Sequence, residues 1–326
     1  MEAYLYESLK DNEVKCNLCN HRCNIKNNRR GICGVRENRG GVLETLVYGK
    51  VIARNIDPIE KKPLFHFYPG KPILSLGFYG CNFRCPFCQN HEISQHTPVV
   101  QKKLSPLEAV NLALDQGSFG IAYTYSEPGV HHEWIIETAQ LASQQGLKNV
   151  LISNGYLNQE PAKELIEVMD GANIDLKSFS NTFYNELGGS LDPVLQFIAE
   201  SYDKLHLEVT TLIIPGKNDS LDEMESMTTF LSNLSSSLPY HLSAYYPHFK
   251  YTAPPTDPDH LLTLAKVAKK KLDYVYTGNI ITGDNNTYCP KCGALLIKRN
   301  HYNTKLSGIT DKSCNNCKNP TNFIIN

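Results

Sequence analysis

The chain has 326 residues, of which 41% are hydrophobic and 20% charged, so it can bury a sizeable core as one large domain or a domain with appendages. Its 32 basic and 33 acidic residues nearly balance, which gives no overall electrostatic footprint for nucleic acid or an anionic membrane. The first residues lack a signal-peptide pattern, and no apolar run reaches transmembrane length. We therefore expect a cytoplasmic globular protein that binds neither nucleic acid nor membrane.

The eleven cysteines fall into groups of four, three and four. Without a secretory signal, such groups indicate metal binding in a reducing cytoplasm rather than disulfide bonds. The grouping predicts three parts. These are a Cys-rich knuckle with a small β segment over residues 1–70, a central domain over residues 71–282, and a zinc-ribbon-like tail over residues 283–326.

The first group consists of Cys16, Cys19, Cys23 and Cys33, with the spacing C-x2-C-x3-C-x9-C. Four thiolates can complete either a zinc site or an auxiliary iron–sulfur cluster, and the spacing leaves both open. After this knuckle, alternating apolar residues between positions 42 and 56 predict a small β element.

Strand and helix patterns alternate through the central domain. Apolar runs predict strands at Ile73–Phe78, Gly120–Thr124, Val150–Ser153, Ala172–Leu176, Leu205–Ile214, Leu242–Tyr246 and Tyr274–Thr277. Stretches with helical spacing lie between them, such as Met224, Met227, Leu231 and Leu234. This alternation predicts an α/β fold, a partial (open) TIM-type barrel of about six parallel βα units. Ligands of such sheets bind beyond the carboxyl ends of the strands.

The second cysteine group, Cys81, Cys85 and Cys88, follows the first of these strands. Three thiolates on one short loop can bind three irons of a four-iron cluster, and the next cysteine downstream is Cys289. The remaining iron is then open to a small chelating ligand, and the amino and carboxylate groups of S-adenosylmethionine (SAM) can occupy it together. The first group carries similar spacings in reverse order, but Cys33 offers a fourth ligand there and no strand leads into that loop.

The octapeptide Cys-Asn-Phe-Arg-Cys-Pro-Phe-Cys resembles the signature of the radical SAM superfamily. With the stretches 57–70 and 79–90, the chain looks like the radical SAM enzyme of the AmmeMemoRadiSam system, which is similar to the pyruvate formate-lyase-activating enzymes. The resemblance implies reductive cleavage of SAM at a [4Fe-4S] cluster to a 5′-deoxyadenosyl radical, which abstracts hydrogen from a protein or small-molecule substrate. It also implies a low-potential electron donor such as ferredoxin or flavodoxin, and it makes Memo-like and AMMECR-like proteins candidate partners.

Residues after successive strands are the expected contacts of SAM. Tyr125, Ser126 and Glu127 stand where the resemblance places the Gly-Gly-Glu motif of activating enzymes, so Glu127 is the expected partner of the SAM ammonium. The alternative is that Glu127 caps the following helix. Asn154 can hydrogen-bond a ribose or a carboxylate, and the ring of Phe87 can stack on adenine.

Asp175 and Lys177 share one face of the fourth strand, because alternate residues of a strand point the same way. The resemblance places a similar Asp-Leu-Lys sequence at the barrel mouth, near SAM and the entering substrate, and a purely structural ion pair is the alternative. After the sixth strand, Tyr246 is the expected SAM contact in the place of a histidine of activating enzymes. His248 is the less favoured candidate for that contact.

The third cysteine group forms two C-x2-C knuckles with 21 residues between them, Cys289 with Cys292 and Cys314 with Cys317. This pattern predicts a structural zinc site, with an iron–sulfur cluster as the alternative. For the whole chain, the hypothesis from a different class is a non-catalytic scaffold in which all three cysteine groups bind structural metal.

Overall fold

The computed structural model describes residues 1–95, 103–281 and 283–325. Residue 282, where the predicted central domain ends, and residue 326, where the predicted tail ends, lie outside the described residues. The domain boundaries themselves stay predictions.

The first fifty residues form two small antiparallel sheets around the first cysteine group. Their strands are β1 (Tyr6–Ser8), β2 (Val14–Cys16), β3 (Asn24–Ile25), β4 (Arg36–Arg39) and β5 (Val42–Thr45), paired as β1-β2-β3 and β4-β5. The Arg36 guanidinium is fully buried and donates hydrogen bonds of 2.7 Å to both carboxylate oxygens of Glu133. Removing one partner of such a pair would leave a buried charge unpaired, so this contact fixes the knuckle on the central part of the chain.

In the described part of the chain, one eight-stranded sheet forms the centre of the fold. Its strands are β6 (Val51–Pro58), β7 (Pro72–Phe78), β8 (Gly120–Thr124), β9 (Lys148–Ser153), β10 (Gly171–Asp175), β11 (His206–Ile213), β12 (Tyr240–Ala244) and β13 (Val275–Gly278). The strands neighbour one another in chain order, parallel from β7 to β13, with β6 antiparallel along β7. The prediction of an open barrel of about six parallel βα units is confirmed.

Helices connect the parallel strands and cover the sheet. They are α1 (His91–Ser94), α2 (Pro106–Asp115), α3 (His132–Gln144), α4 (Gln159–Val168), α5 (Asn181–Glu186), α6 (Asp192–Tyr202), α7 (Leu221–Leu234) and α8 (Pro258–Ala268). Helix α2 begins with a capping box, in which the Ser105 hydroxyl accepts from the backbone of Glu108 and the Glu108 carboxylate accepts from the backbone of Ser105. The apolar stripe of α7 is buried at Met224, Met227 and Leu231, as its spacing predicts. Among the described helices, none combines the length and apolar character that a membrane crossing needs.

The C-terminal segment is a small ribbon that closes the amino end of the barrel. Its strands are β14 (Thr287–Tyr288), β15 (Leu295–Asn300), β16 (Asn303–Leu306), β17 (Ile309–Thr310) and β18 (Ser313–Cys314). Arg299 of β15 donates to the carbonyl oxygen of Phe65 at 2.6 Å, and its guanidinium lies 4.4 Å from the Phe65 ring centroid. The Phe323 ring packs 3.8 Å from that of His66. The ribbon therefore lies opposite the strand ends where the second cysteine group begins.

Glu208 of β11 is the charged centre of this closed end. Its buried carboxylate accepts from the His66 backbone at 2.7 Å and lies 3.0 Å and 2.6 Å from the Nε2 atoms of His206 and His241. Burial alone would raise the pKa of Glu208, but the hydrogen bonds from His206 and His241 hold that pKa well below its usual range. The ionised carboxylate therefore stabilises the fold at neutral pH.

Replacing Glu208 with Gln should lower the free energy of unfolding by about 2–3 kcal/mol at pH 7, because both histidines lose a charged acceptor. The folded pKa lies below the unfolded value of about 4.3, so this contribution is present above that pH and is lost as the pH falls further. The gap between wild type and variant in urea unfolding should therefore narrow below about pH 4. Glu225→Gln, in an exposed pair with Lys271, is the control and should cost under about 0.5 kcal/mol. A gap that widens in acid would contradict this account.

Candidate functional site

The carboxyl ends of the parallel strands surround a cavity of about 350 Å³. This volume lies in the range of roughly 300–1,000 Å³ that is typical of small-molecule sites. The cavity is lined by all three cysteines of the second group and by seven other predicted site residues: Phe87, Tyr125, Ser126, Glu127, Asn154, Asp175 and Lys177. The fold thus brings together residues that lie on separate strand ends.

The cysteine loop leaves β7 through Gly80. This residue has a φ of +79°, a conformation that glycine adopts readily and other residues rarely. A Cβ atom at this position would lie 2.5 Å from Cγ1 of Val35 and 2.9 Å from the carbonyl oxygen of Cys33. The Gly80 backbone N–H donates to the carbonyl of Ile93 at 2.9 Å, which closes the loop behind its last cysteine. The turn therefore requires glycine for both its backbone angle and its space.

Hydrogen-bond donors surround the sulfur atoms of this loop. The backbone N–H of Phe83 and the side-chain amide of Asn154 donate to Cys81 Sγ at 3.3 Å and 3.7 Å. The Ser94 hydroxyl lies 3.4 Å from Cys88 Sγ. Burial raises the pKa of Cys81 well above its ordinary value and that of Cys85 to about 11, so these two thiols are protonated at neutral pH when no metal is bound. Donors of this kind are what cluster-bound thiolates accept from, so the residues present fit an iron–sulfur cluster.

Glu127 is fixed by three donors and still faces the cavity. One carboxylate oxygen accepts from Gly129 N–H and from the Ser153 hydroxyl, both at 2.8 Å, and the other accepts from Asn154 N–H at 2.9 Å. The bond to Gly129 caps the short 3₁₀ turn Pro128–His131, so the predicted capping alternative describes part of its role. A carboxylate offers about four acceptor positions, so one stays available to a ligand. Burial raises the pKa of Glu127, against the effect of these donors.

Tyr125 adopts a φ of +75°, the backbone conformation that glycine favours. Tyr125 therefore takes up a glycine-like backbone angle at this strand end. The Tyr125 hydroxyl donates to Asp57 at 2.9 Å, and the ring lies 4.5 Å from Lys62 Nζ. Next to it, the Ser126 hydroxyl donates to the carbonyl of Phe78 at 2.7 Å. Both side chains are thus used to hold the strand end.

Asp175 and Lys177 form an ion pair of 2.8 Å at the mouth of the cavity. The carboxylate of Asp175 is 41% exposed and the side chain of Lys177 is 18% exposed, so the pair is partly open to an entering molecule. Burial alone would lower the pKa of Lys177, but Asp175 and the nearby Cys85 thiol raise it overall. Lys177 is therefore a fixed positive charge beside Cys85, whose pKa it in turn lowers against the effect of burial.

Two other predicted residues have well-defined surroundings. The side chain of Asn154 donates to Asn82 at 2.8 Å as well as to Cys81, and its carbonyl oxygen accepts from Tyr156 N–H. Phe87 packs with its ring parallel to that of Phe183, at 6.1 Å between centroids. Asn154 therefore positions the cysteine loop, whereas Phe87 contributes an aromatic wall.

The structure sets Tyr246 and His248 apart from this group. The side chain of Tyr246 is 49% exposed, its hydroxyl donates to the carbonyl of Asn279 at 2.9 Å, and it is not among the described residues that line the cavity. His248 bridges to Tyr251 and packs beside His91. The proposed contact of Tyr246 with SAM stays a prediction that this arrangement does not support.

Several lining residues were missed from the sequence. Lys62 is buried and donates to Asp57 at 2.9 Å, and Lys61 donates to the other oxygen of Asp57 at the same distance. These residues belong to the stretch 57–70, which supports the family resemblance but gives no indication from sequence that its side chains line the cavity. Thr210 of β11 and Ser243 of β12 also face the cavity, and their place on alternate strand positions could have identified them.

The first and third cysteine groups lie on different sides of the barrel: the knuckle is beside the cysteine loop, and the ribbon is at the closed end. The four ribbon thiols come together, with Cys289 Sγ 3.6 Å from Cys317 Sγ and Cys292 Sγ 3.7 Å from Cys314 Sγ. The four knuckle thiols are free and pack beside the cysteine loop, where His21 Nε2 lies 2.7 Å from the carbonyl oxygen of Asn82.

Sequence comparisons relate this chain to known proteins. Residues 76–231 match the sequence profile of the radical SAM superfamily. An uncharacterized protein of Methanocaldococcus jannaschii is 41% identical over 334 residues, covering 99% of each chain. The pyruvate formate-lyase-activating enzyme of Clostridium pasteurianum is 20% identical and covers 50% of this chain and 73% of its own.

A solved structure has the same fold. The crystal structure of a radical SAM methyltransferase from Sphaerobacter thermophilus aligns with a TM-score of 0.52 at 14% identity, covering 65% of this chain and 67% of its own. At this level of identity the likeness concerns the fold alone.

Replacing Gly80 with Ala should lower the free energy of unfolding by roughly 3–4 kcal/mol, since the new methyl group overlaps Val35 and Cys33 in addition to straining the backbone. Gly146→Ala is a matched control, because Gly146 has a φ of +77° and nothing within 4 Å of the added Cβ. Gly146→Ala should lower the free energy of unfolding by only the backbone strain of a left-handed residue, about 1–2 kcal/mol. Chemical denaturation of both variants measures the difference. Equal losses would contradict the close packing of the knuckle on Gly80.

Proposed function

Because this chain belongs to the radical SAM superfamily, we propose that it is an activating-enzyme-like oxidoreductase in which Cys81, Cys85 and Cys88 hold a [4Fe-4S] cluster. The observation that carries the proposal is the composition of the cavity. Of the eleven cysteines, all of them described, only these three line it, together with a free carboxylate position on Glu127. One iron is therefore left for SAM, as superfamily membership implies.

When bound there, the cluster with SAM supplies one-electron cleavage of the sulfonium to methionine and a 5′-deoxyadenosyl radical, which abstracts hydrogen from the substrate. Around this group, Asn154 and the Phe83 backbone hold donors on Cys81 Sγ, which tunes the cluster environment. The open position on Glu127 accepts from the SAM ammonium, and Phe87 offers its ring to the adenine. These assignments rest on the cavity contacts together with the resemblance to activating enzymes.

The mouth of the cavity is the proposed entrance of the substrate. Asp175 and Lys177 present both a partly exposed carboxylate and an ammonium there, which suits contact with SAM on one side and substrate on the other. Tyr125 also lines the cavity, and the hydrogen bond from its hydroxyl to Asp57 fixes its ring there. Because the charges of Asp175 and Lys177 are paired with each other, both side chains can hydrogen-bond a polar substrate group without leaving a charge unpaired.

The substrate is a protein residue or a small molecule. Homology to activating enzymes favours delivery of the radical to a protein, and it disfavours the scaffold hypothesis for the chain as a whole. Memo-like and AMMECR-like proteins are the candidate partners on the resemblance to the AmmeMemoRadiSam family. A doublet in the electron paramagnetic resonance (EPR) spectrum of an incubated partner would identify a glycyl radical, and a mass change on a metabolite would identify a small-molecule substrate.

A low-potential carrier such as ferredoxin or flavodoxin is the proposed electron donor. The knuckle exposes Arg22, Lys26 and Arg29, and no acidic residue occurs between positions 14 and 36. Such a surface favours an acidic carrier, since opposite charges speed the encounter of two proteins. The proposed compartment is the cytoplasm, where the thiols stay reduced and such carriers work.

Anaerobic reconstitution with iron, sulfide, SAM and a strong reductant tests the proposed reaction. Wild-type protein should release 5′-deoxyadenosine and methionine in equal amounts, measured by liquid chromatography with mass spectrometry. Cys85→Ala should lower this release by a factor of at least about 1,000, because one iron loses its thiolate. Omission of the reductant from wild type is the control. Unchanged release by Cys85→Ala, or no release from a fully loaded wild type, would refute the proposal.

The ribbon is proposed to hold a structural zinc, with Cys289, Cys292, Cys314 and Cys317 as ligands. A tetrahedral zinc with bonds of about 2.3 Å places its sulfur atoms about 3.8 Å apart, close to the two distances between ribbon thiols. The site lies at the closed end of the barrel, so its expected contribution is to stability rather than to the reaction.

Cys317→Ser should remove about one zinc per chain and lower the melting temperature, while the iron content stays that of wild type. Elemental analysis and calorimetry measure these changes. Ser313→Ala, in the same ribbon, is the control and should keep both values. Loss of iron from Cys317→Ser, with zinc retained, would instead indicate the alternative iron–sulfur site.

A further inference from the structure

The knuckle is the remaining group of four cysteines, for which the sequence predicts metal binding and leaves zinc and an iron–sulfur cluster open. Its four thiols begin with Cys16 and continue through Cys19 and Cys23 to Cys33. Because β2 ends at Cys16, the expectation that no strand leads into this loop is wrong, and the fourth cysteine is what distinguishes this group from the cavity cysteines. Cys16 and Cys19 are buried, and the other two are half-buried. Four free thiols of one segment therefore face a shielded interior.

The distances between the thiol sulfur atoms distinguish a zinc site from an iron–sulfur cluster. A single zinc draws four sulfur atoms to about 3.8 Å from one another, whereas a four-iron cluster binds each thiolate at a different iron and holds the sulfurs farther apart. Within residues 1–95, 103–281 and 283–325, the ribbon cysteines are the one group of three or more ligand atoms that all lie within 4.8 Å. No three of the described knuckle thiols come within 4.8 Å of one another as the ribbon thiols do, and this wider spacing fits a four-iron cluster better than one zinc ion.

The knuckle also lies directly against the cysteine loop of the cavity. The Arg84 guanidinium donates to the carbonyl of Cys81 at 2.7 Å and to the carbonyl of Ile32, the residue before Cys33. The Cys33 carbonyl oxygen lies 2.9 Å from the place of a Cβ on Gly80, the residue before Cys81. A single layer of backbone and one guanidinium therefore separate the two thiol groups.

We propose that Cys16, Cys19, Cys23 and Cys33 bind a second [4Fe-4S] cluster that relays electrons toward the cavity. Its four thiols lose their protons when the cluster binds, and all four irons are then ligated by protein. One electron enters from a ferredoxin- or flavodoxin-type donor and one electron leaves toward Cys81, with no bond formed or broken at this site. The relay rests on the proposed function, whereas the metal assignment does not.

The triple variant Cys81→Ala/Cys85→Ala/Cys88→Ala tests the metal assignment in the full chain. After anaerobic reconstitution it should keep about four irons per chain, half of the wild-type content, with visible iron–sulfur absorbance that SAM does not alter. Elemental analysis should find about one zinc, in the ribbon. A triple variant with no iron and about two zincs would overturn the proposal.

EPR spectroscopy of the reduced proteins tests the proximity of the clusters. Reduced wild type should show a signal broadened by coupling between two spins, and the triple variant should show one sharp signal. A wild-type spectrum that is the plain sum of two isolated clusters would overturn the relay. Failure of the proposed function gives a different result. If Cys81, Cys85 and Cys88 held no cluster, the triple variant would keep all the iron of the wild type.

A knuckle variant provides the complementary measurement. Cys19→Ala/Cys23→Ala should lose half of the iron and keep the change in EPR signal that SAM produces at the remaining cluster. If this variant does not fold, the triple variant alone still decides the metal. Retention of all the iron by a folded Cys19→Ala/Cys23→Ala protein would refute the second cluster.

Discussion

The arrangement of the site depends on a backbone position without a side chain. Gly80 turns the chain out of β7 with a left-handed angle, and the knuckle fills the space where a Cβ would stand. The turn aims the cysteine loop across the ends of the parallel strands, and the contact with Val35 holds the knuckle against it. The two thiol groups are therefore positioned by one constraint. The contact at Gly80 therefore holds the knuckle thiols in a defined position next to the cavity thiols.

Much of the fold could be predicted from periodicity, because each parallel strand is buried and therefore reads as a continuous apolar run. Gly120–Thr124 was placed to the residue, whereas the strand predicted at Leu242–Tyr246 begins and ends two residues earlier. The shift arises because Tyr245 is buried in the loop after the strand, where its backbone bonds to Thr256 rather than to a neighbouring strand. Apolar character marks burial, and it does not by itself mark strand pairing.

The candidate site could be predicted where its residues follow strand ends in order, as Glu127 and Asn154 do. The cap from Gly129 to Glu127 is local, and the sequence offered it as an alternative. The sequence could not reveal the other two donors to this carboxylate, because Ser153 and Asn154 are brought near it by folding. Tyr246 was expected to contact SAM because the resemblance places a histidine of activating enzymes there, but β12 ends at Ala244 and the Tyr246 side chain is exposed. The side chain of Lys62 was overlooked because a lysine in a loop usually faces solvent, whereas Asp57 draws this one inside.

The antiparallel strand β6 determines where this chain can be shortened. It covers the edge of β7, and its Asp57 holds Lys62, which forms part of the cavity wall. A shortened chain beginning at Pro72 would expose the hydrogen-bonding groups of a long apolar strand to other molecules, and it would be prone to self-association. Strand β6 is thus needed both to protect the barrel edge and to hold Lys62 in the cavity wall.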